Sequence, residues 1–104
     1  MLEIKKRPQV IRDLIDLATY IAQDNLDASD HFLTAAEVTF KQLAKTPAMG
    51  KLCQFVHPQL ENIRQIAITG FRKYLIFYCV TDSTIEILRV IHDARDIESI
   101  FDED

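Results

Sequence analysis

The sequence contains little cysteine, glycine or proline. Its 104 residues include two cysteines, two glycines, three prolines and no tryptophan. Cys79 lies inside the apolar run YLIFYCV, so the two cysteines are expected to be buried or isolated thiols rather than a disulfide framework, as in a reducing compartment. With only Gly50 and Gly70 present, the chain has no glycine-rich loop of the kind that cradles phosphates.

An apolar run long enough to cross a bilayer is also missing. The N-terminal stretch MLEIKKRPQV lacks the apolar core of a secretory signal. Hydrophobic residues nevertheless make up 48% of the chain, which is enough for a modest core without metals or disulfides. We therefore expect one domain over residues 1–104 that is soluble, cytoplasmic and has no membrane contact.

The chain also lacks a surplus of basic residues. The formal net charge is −4 and the pI is about 5.3, whereas domains that grip nucleic acid usually carry excess lysine and arginine. Direct sequence-specific binding of nucleic acid is therefore not expected. Between residues 49 and 75, however, Lys51, Arg64, Arg72 and Lys73 accompany a single acid, Glu61, which leaves room for a local cationic site.

Two helices are predicted after a short first strand, Leu2–Arg7. Pro8 ends this strand and suits the first turn of a helix, which helical spacing of apolar residues extends to Gln23. A second helix is expected from near Ala28, with Asp27 as its N-cap, and the stretch TPAMG ends it. The short polar link between the two helices predicts an antiparallel helical hairpin.

Strand-type periodicity follows from residue 62 onwards. The predicted strands are NIRQIAIT, RKYLIFYCV and TIEILRVIH, the last two joined by a turn at TDST, and the continuous apolar run of the second predicts a central strand. The order β-α-α-β-β-β-α predicts an α+β fold. In it, the helical hairpin covers one face of a mostly antiparallel sheet, and a short C-terminal helix places Ile97, Ile100 and Phe101 on one side.

The last strand places a cation among isoleucines. In strict alternation Ile85, Ile87, Arg89 and Ile91 share one face, and Glu86, Leu88, Val90 and His92 share the other. An arginine there needs a partner. A structural ion pair or a snorkelling side chain is the favoured interpretation. The alternative is a cation that meets a phosphate or a carboxylate-bearing partner.

The same strand ends at His92 beside Asp93. An acid in that place can orient an imidazole for proton transfer. Asp93 is also a suitable N-cap for the terminal helix, and this structural interpretation is favoured. Arg95 and Asp96 would then open that helix. Since a cation in the first turn opposes the helix dipole, Arg95 is expected to make a tertiary or partner contact.

No motif predicts a metal, a cofactor or an activated nucleophile. Cys53 and His57 have a fragment of metal-ligand spacing, but no second pair follows, and zinc sites usually need three or four convergent ligands. The serines, Ser29, Ser83 and Ser99, occupy helix-start, turn or helix positions, and no nucleophile motif surrounds them. No metal and no cofactor are expected.

Three stretches of the chain together resemble the ParE/RelE superfamily of bacterial type II toxins, and its ParE-like branch in particular. They are DLIDLATYIAQDN, FLTAAEVTFKQLAKTPAMG and RKYLIFYCVTDSTIEILRVIHDARDIESIF, of which the last, with RKYLIFY and RVIHDARDI, is the most specific. The resemblance implies a toxin neutralised by a cognate antitoxin whose disordered tail folds over it. It also implies a homodimer or a toxin–antitoxin hetero-oligomer, with roles in plasmid maintenance or stress response.

For the ParE-like branch, the resemblance implies inhibition of DNA gyrase by trapping its cleaved DNA complex, without a reaction of the toxin's own. We expect Arg72, Lys73, Arg89 and Arg95 to contact the partner.

For the RelE-like branch, the resemblance implies ribosome-dependent cleavage of mRNA, with Glu61, Arg72, Arg89 and His92 as candidate catalytic residues. Asp93 stands where a tyrosine would help, and the low pI opposes docking on ribosomal RNA, so the gyrase inhibitor is the preferred hypothesis. A non-toxic, antitoxin-binding relic is the third.

Overall fold

A computed structural model describes residues 1–55, 61–95 and 97–102. Its elements are β1 (Glu3–Lys6), α1 (Pro8–Ala22), α2 (Leu26–Lys45), a 3-10 turn (Pro47–Met49), β2 (Lys51–Leu52), β3 (Arg64–Ile68), β4 (Phe71–Val80), β5 (Thr84–His92) and α3 (Ile97–Asp102). The predicted α+β class is confirmed. The addition is β2, a two-residue strand in a segment predicted to be an irregular loop.

The strands form one sheet in the order β1-β5-β4-β3-β2. β1 runs parallel to β5, and every other pair is antiparallel. The apolar strand β4 lies in the middle, as predicted, and its residues Ile76, Phe77 and Tyr78 are completely buried. A strand buried on both faces explains why its sequence is a continuous apolar run rather than an alternating one.

Each face of the sheet has its own core. The helical hairpin of α1 and α2 packs on one face, where Val10, Phe32, Phe40, Ile76 and Ile87 belong to one buried cluster. α3 packs on the other face, where Ile100 joins a smaller cluster that contains Ile63, Phe77, Leu88 and Ile91. Full burial of a side chain of this size contributes roughly 1.5–3 kcal/mol, so the helical hairpin supplies most of the apolar stabilisation.

The N-terminus of α2 differs from the prediction. The helix begins at Leu26, and the cap is Asn25, whose backbone is extended and whose side-chain oxygen accepts a hydrogen bond from the Ala28 N–H at 3.0 Å. The prediction that Asp27 is the N-cap is therefore wrong. Asp27 lies inside the first turn, where its negative charge complements the helix dipole.

β5 contains a bulge at Leu88. In the ladder with β4, Tyr78 pairs with Ile87, whereas the preceding residue, Phe77, pairs with Arg89. Leu88 is the extra residue between these two pairs. Beyond the bulge, every residue of β5 is shifted by one position relative to β4.

The bulge overturns the predicted alternation along β5. Ile85 and Ile87 face the helical hairpin, but Ile91 lies in the cluster under α3, so the prediction that it shares their face is wrong. The prediction that Leu88 and Val90 share a face is wrong for the same reason. The hydrophobic pattern did not reveal the bulge because both faces of β5 are apolar.

The link from β5 to α3 also departs from the prediction. α3 begins at Ile97, so Asp93 is not its N-cap; the Asp93 N–H donates instead to the Lys73 carbonyl at 2.7 Å. Arg95 therefore precedes the helix and does not lie in its first turn, where a cation would oppose the dipole. Asp96 lies outside the described residues. Ile97, Ile100 and Phe101 pack on one cluster, as the helical spacing predicts.

Both cysteines are free thiols. Of the described helices, none combines the length and apolarity that a membrane crossing requires.

Candidate functional site

A shallow groove of about 330 Å³ opens where β4 begins and β5 ends. Its lining combines residues from three places: Leu17 and Tyr20 from the last turns of α1, Tyr74 and His92 from paired strands, and Arg95 from the turn after β5. We call it the aromatic groove. It brings together an imidazole, two phenols and a guanidinium that are far apart in sequence.

His92 is half-buried in the aromatic groove. Its ring meets the Tyr74 ring edge-on, with centroids 5.1 Å apart. Its Nδ1 accepts a hydrogen bond from the Ala94 N–H at 3.0 Å, which assigns the proton of the neutral ring to Nε2. A carboxylate oxygen of Asp93 lies 3.4 Å from the same Nδ1 and becomes its partner when the ring is protonated. Nε2 is thus the nitrogen available for an incoming group.

The two tyrosines differ in exposure. Tyr20 is 64% exposed, whereas Tyr74 is partly buried against the core. Burial raises the pKa of the Tyr74 phenol above its ordinary value of 10.0, and the neighbouring Tyr20 raises it further. Tyr74 therefore stays protonated near neutral pH, where its hydroxyl is a hydrogen-bond donor rather than a base.

Three of the predicted partner-binding cations lie at this end of the sheet. Arg72 and Lys73 precede Tyr74 on β4, and the Lys73 carbonyl accepts from Asp93 in the turn that carries Arg95. All three side chains are exposed. Within the described parts of the chain, none of them forms an ion pair. Their charge is available to a binding partner.

Arg89 is held in a different place. Its Nε and Nη2 donate to the two carboxylate oxygens of Asp13, at 2.8 and 3.0 Å, and Asp13 also accepts the Val90 N–H at 3.1 Å. This bidentate contact ties α1 to β5 and agrees with the favoured interpretation of a structural ion pair. Contact between Arg89 and a partner stays a prediction.

The four candidate nuclease residues do not converge. Glu61 is exposed and lies three residues before Arg64, which pairs with Tyr78 near the far end of β4. Arg72 and Tyr78 are six residues apart along β4, which corresponds to roughly 20 Å. Glu61 and the pair of Arg72 and His92 are therefore at opposite ends of the sheet.

No pattern in the sequence indicated the tyrosines of the aromatic groove. Next to the hairpin turn, Val80 pairs with Ile85. If the pairing continued regularly away from the turn, Tyr74 would lie opposite Ile91. The bulge at Leu88 moves His92 into that place instead. The neighbouring strand thus places a tyrosine, Tyr74, beside His92, where the residue that follows in sequence is Asp93.

No group of three or more metal-ligating side chains occurs among the described residues. His57, the second half of the predicted Cys53–His57 spacing, lies outside them.

A protein-family model described as "ParE toxin of type II toxin-antitoxin system, parDE" matches residues 4–97. The chain belongs to the ParE toxin family. This confirms the recognition made from RKYLIFY and RVIHDARDI, and it makes the chain a toxin component of a type II toxin–antitoxin system. No curated protein sequence matches significantly.

Three solved structures share the ParE fold seen here. The "Chromosomal ParDE TA system from P. aeruginosa" aligns with a TM-score of 0.69 at 16% identity, over 88% of this chain and 96% of that chain. YafQ from E. coli strain BL21(DE3) aligns with a TM-score of 0.58 at 16% identity, over 90% and 96%. The YoeB dimer from Staphylococcus aureus aligns with 0.56 at 20% identity, over 85% and 92%. At these identities the likeness is one of fold.

Proposed function

We propose that this toxin acts by binding DNA gyrase and trapping its cleaved DNA complex, and that a cognate antitoxin neutralises it. The observation that carries the proposal is the ParE family match over residues 4–97. The separation of Glu61 from Arg72 and His92 supports it further, because a nuclease built on those residues would need them within reach of one phosphate.

The target contact is proposed for the exposed cations beside the aromatic groove, Arg72, Lys73 and Arg95. Cations on an otherwise acidic protein concentrate its attraction for anions at one place. A cleaved gyrase–DNA complex offers phosphates to such a patch, and backbone contacts of this kind position a protein without reading sequence. Arg89, paired with Asp13, supports α1 beside this patch.

The antitoxin contact is proposed for the helical hairpin. Large apolar side chains are exposed on α1 and α2, including Ile15 at 58% and Val38 at 44%. A disordered antitoxin segment that forms an amphipathic helix on binding can cover such residues. A homodimer, or a hetero-oligomer with the antitoxin, would cover them as well.

The test adds the purified toxin to gyrase, ATP and supercoiled or relaxed plasmid. Loss of supercoiling together with accumulated double-strand breaks, both reversed by the antitoxin, is the expected result. Unchanged supercoiling and no breaks at a large molar excess of toxin would contradict the gyrase proposal.

A second candidate function is ribosome-dependent cleavage of mRNA. The arrangement that favours it is Tyr74, His92 and Arg95 in one groove, since His92 Nε2 can exchange a proton and Arg95 can stabilise charge on a phosphate. Incubation with translating ribosomes and primer extension on the mRNA distinguishes the two. Cleavage that His92→Gln abolishes would support this function, and silence in both assays would indicate a relic that only binds its antitoxin.

A further inference from the structure

A second pocket, of about 580 Å³, lies between the start of α1, β5 and α3. Its lining includes Arg7, Gln9, Arg12, Leu88, Arg89 and Phe101, and we call it the arginine pocket. Its volume falls in the range of pockets that enclose several side chains or a small ligand. Neither of the two functions proposed above uses it.

The three arginines of the arginine pocket differ in the partners that the described residues give them. Arg7 donates twice to one oxygen of Glu86, at 3.2 and 2.9 Å, and Arg89 is paired with Asp13. Arg12, in contrast, donates from Nη2 to the neutral side-chain oxygen of Gln9 at 2.9 Å. Since a guanidinium has five N–H donors, Arg12 retains most of its capacity for a carboxylate.

The opposite wall of the arginine pocket is apolar and fixed. Leu88 is 4% exposed beneath α3. Phe101 packs its ring against Phe77 and Phe55, with centroids 5.6 and 5.7 Å apart. These contacts hold α3 in place, so the wall is present before any ligand arrives.

The combination of a cation and an apolar wall favours a peptide over a free anion or a nucleic acid. A small inorganic anion makes no use of Leu88 and Phe101. A nucleic-acid backbone carries a continuous run of charges, whereas the arginine pocket offers one guanidinium, Arg12, that is bonded only to a neutral side chain among the described residues. A polypeptide that carries an acidic side chain next to an apolar one can pair with Arg12 and pack against Leu88 and Phe101 at the same time.

We propose that the arginine pocket binds an acidic side chain of a partner polypeptide through Arg12, with an adjacent apolar side chain of the same polypeptide against Leu88 and Phe101. This interaction surface is distinct from the aromatic groove and does not depend on the target of the toxin.

The probe is the blocked peptide acetyl-ELEFE-amide, titrated into the full ¹⁵N-labelled chain by NMR. Two matched peptides separate the walls: acetyl-QLQFQ-amide lacks the charge, and acetyl-ESESE-amide lacks the apolar side chains. We expect acetyl-ELEFE-amide to shift the backbone amides of Gln9, Arg12 and Leu88. Both matched peptides should bind at least tenfold more weakly. Inorganic phosphate at equal concentration should not compete.

On the protein, Arg12→Gln is expected to weaken binding of acetyl-ELEFE-amide about tenfold, the size of one lost charge-assisted hydrogen bond. Arg12 is exposed, so this variant should fold normally. Lys41→Gln removes the same charge from the exposed surface of α2 and should leave the affinity within about twofold. Equal losses in the two variants, absence of shifts up to 5 mM peptide, or tighter binding of a single-stranded oligonucleotide at the same amides would each overturn the proposal.

Discussion

At the residue scale, the pair of Asp13 and Arg89 is the polar contact that we expect to matter most for stability. Asp13→Asn keeps the size of the side chain but removes the charge that receives two arginine N–H groups. Breaking a buried ion pair costs roughly 3 kcal/mol, which urea unfolding measures directly. The matched control is Glu37→Gln, which removes the more exposed Lys6 contact and should cost less than about 1 kcal/mol. Similar losses in both variants would contradict the structural role of the Asp13 pair.

Tyr78 holds the turn after α2 against the sheet. Its buried hydroxyl accepts from the Gly50 N–H at 2.9 Å and donates to the Pro47 carbonyl at 2.8 Å. Gly50 permits this approach because a Cβ there would lie 2.5 Å from the Tyr78 hydroxyl oxygen and 2.8 Å from the Gln65 carbonyl oxygen. Tyr78→Phe leaves both groups unpaired and should lower the free energy of unfolding by about 1–3 kcal/mol. Tyr20→Phe, on an exposed ring, should change it by less than about 0.5 kcal/mol, and a comparable loss there would count against this assignment.

Alkaline pH should destabilise the fold through its thiols and phenols. Burial raises the pKa of Cys53 and Cys79 above 9.0, and of Tyr74 and Tyr78 above 10.0. The unfolded chain therefore loses these protons at lower pH than the folded chain. Stability is retained in full below pH 9 and falls as pH rises through the folded-state values. Urea midpoints measured from pH 8 to 10.5 should decrease, and less steeply in Cys79→Val; a flat profile would be inconsistent with buried, protonated groups.

At the element scale, the cap of α2 gives a direct comparison between the predicted and the observed helix start. Asn25→Ala removes the side-chain bond to the Ala28 N–H and should cost about 1 kcal/mol. Asp27→Ala removes only a favourable dipole interaction, and its cost should stay below about 0.5 kcal/mol. Urea unfolding of both variants measures the two losses. A larger loss in Asp27→Ala than in Asn25→Ala would indicate that Asp27 is the N-cap after all.

Element types and order were predictable because periodicity and turn residues are local signals. Pro8 marks the start of α1, the TDST turn marks the β4–β5 hairpin, and the apolar run of β4 indicates a central strand. The bulge at Leu88 was not predictable, because an extra residue in a strand that is apolar on both faces leaves no break in the pattern. The start of α3 was misplaced because Asp93 has the chemistry of a cap but is bound in the sheet ladder by Lys73.

At the scale of the whole molecule, recognition of the family was reachable from the sequence, whereas the candidate site was reachable only in part. His92 and Arg95 were identified from their charge and position. Tyr20 and Tyr74 were missed because their place in the aromatic groove depends on how α1 crosses the sheet and on the shifted register of β5. Sequence distance alone also could not reveal that Glu61 lies at the other end of the sheet.

Whether the toxin binds its target or acts as a catalyst concerns the whole molecule. Charge variants can distinguish these two functions. If the patch beside the aromatic groove docks on a gyrase–DNA complex, the triple variant of Arg72→Gln, Lys73→Gln and Arg95→Gln should raise the toxin concentration for half-maximal gyrase inhibition at least tenfold. That factor corresponds to about 1.4 kcal/mol of lost binding free energy. The effect should shrink at higher salt, because exposed charges are screened.

The matched control for the triple variant is Lys5→Gln, Lys41→Gln and Lys45→Gln, which changes the net charge by the same amount on exposed side chains of β1 and α2. It should inhibit gyrase within about twofold of the parent chain. If both triple variants lose inhibition equally, net charge rather than this patch governs binding. His92→Gln completes the comparison: full gyrase inhibition by this variant would agree with a binding inhibitor, whereas mRNA cleavage by the parent chain that this variant loses would favour the catalytic hypothesis, since proton transfer requires the imidazole.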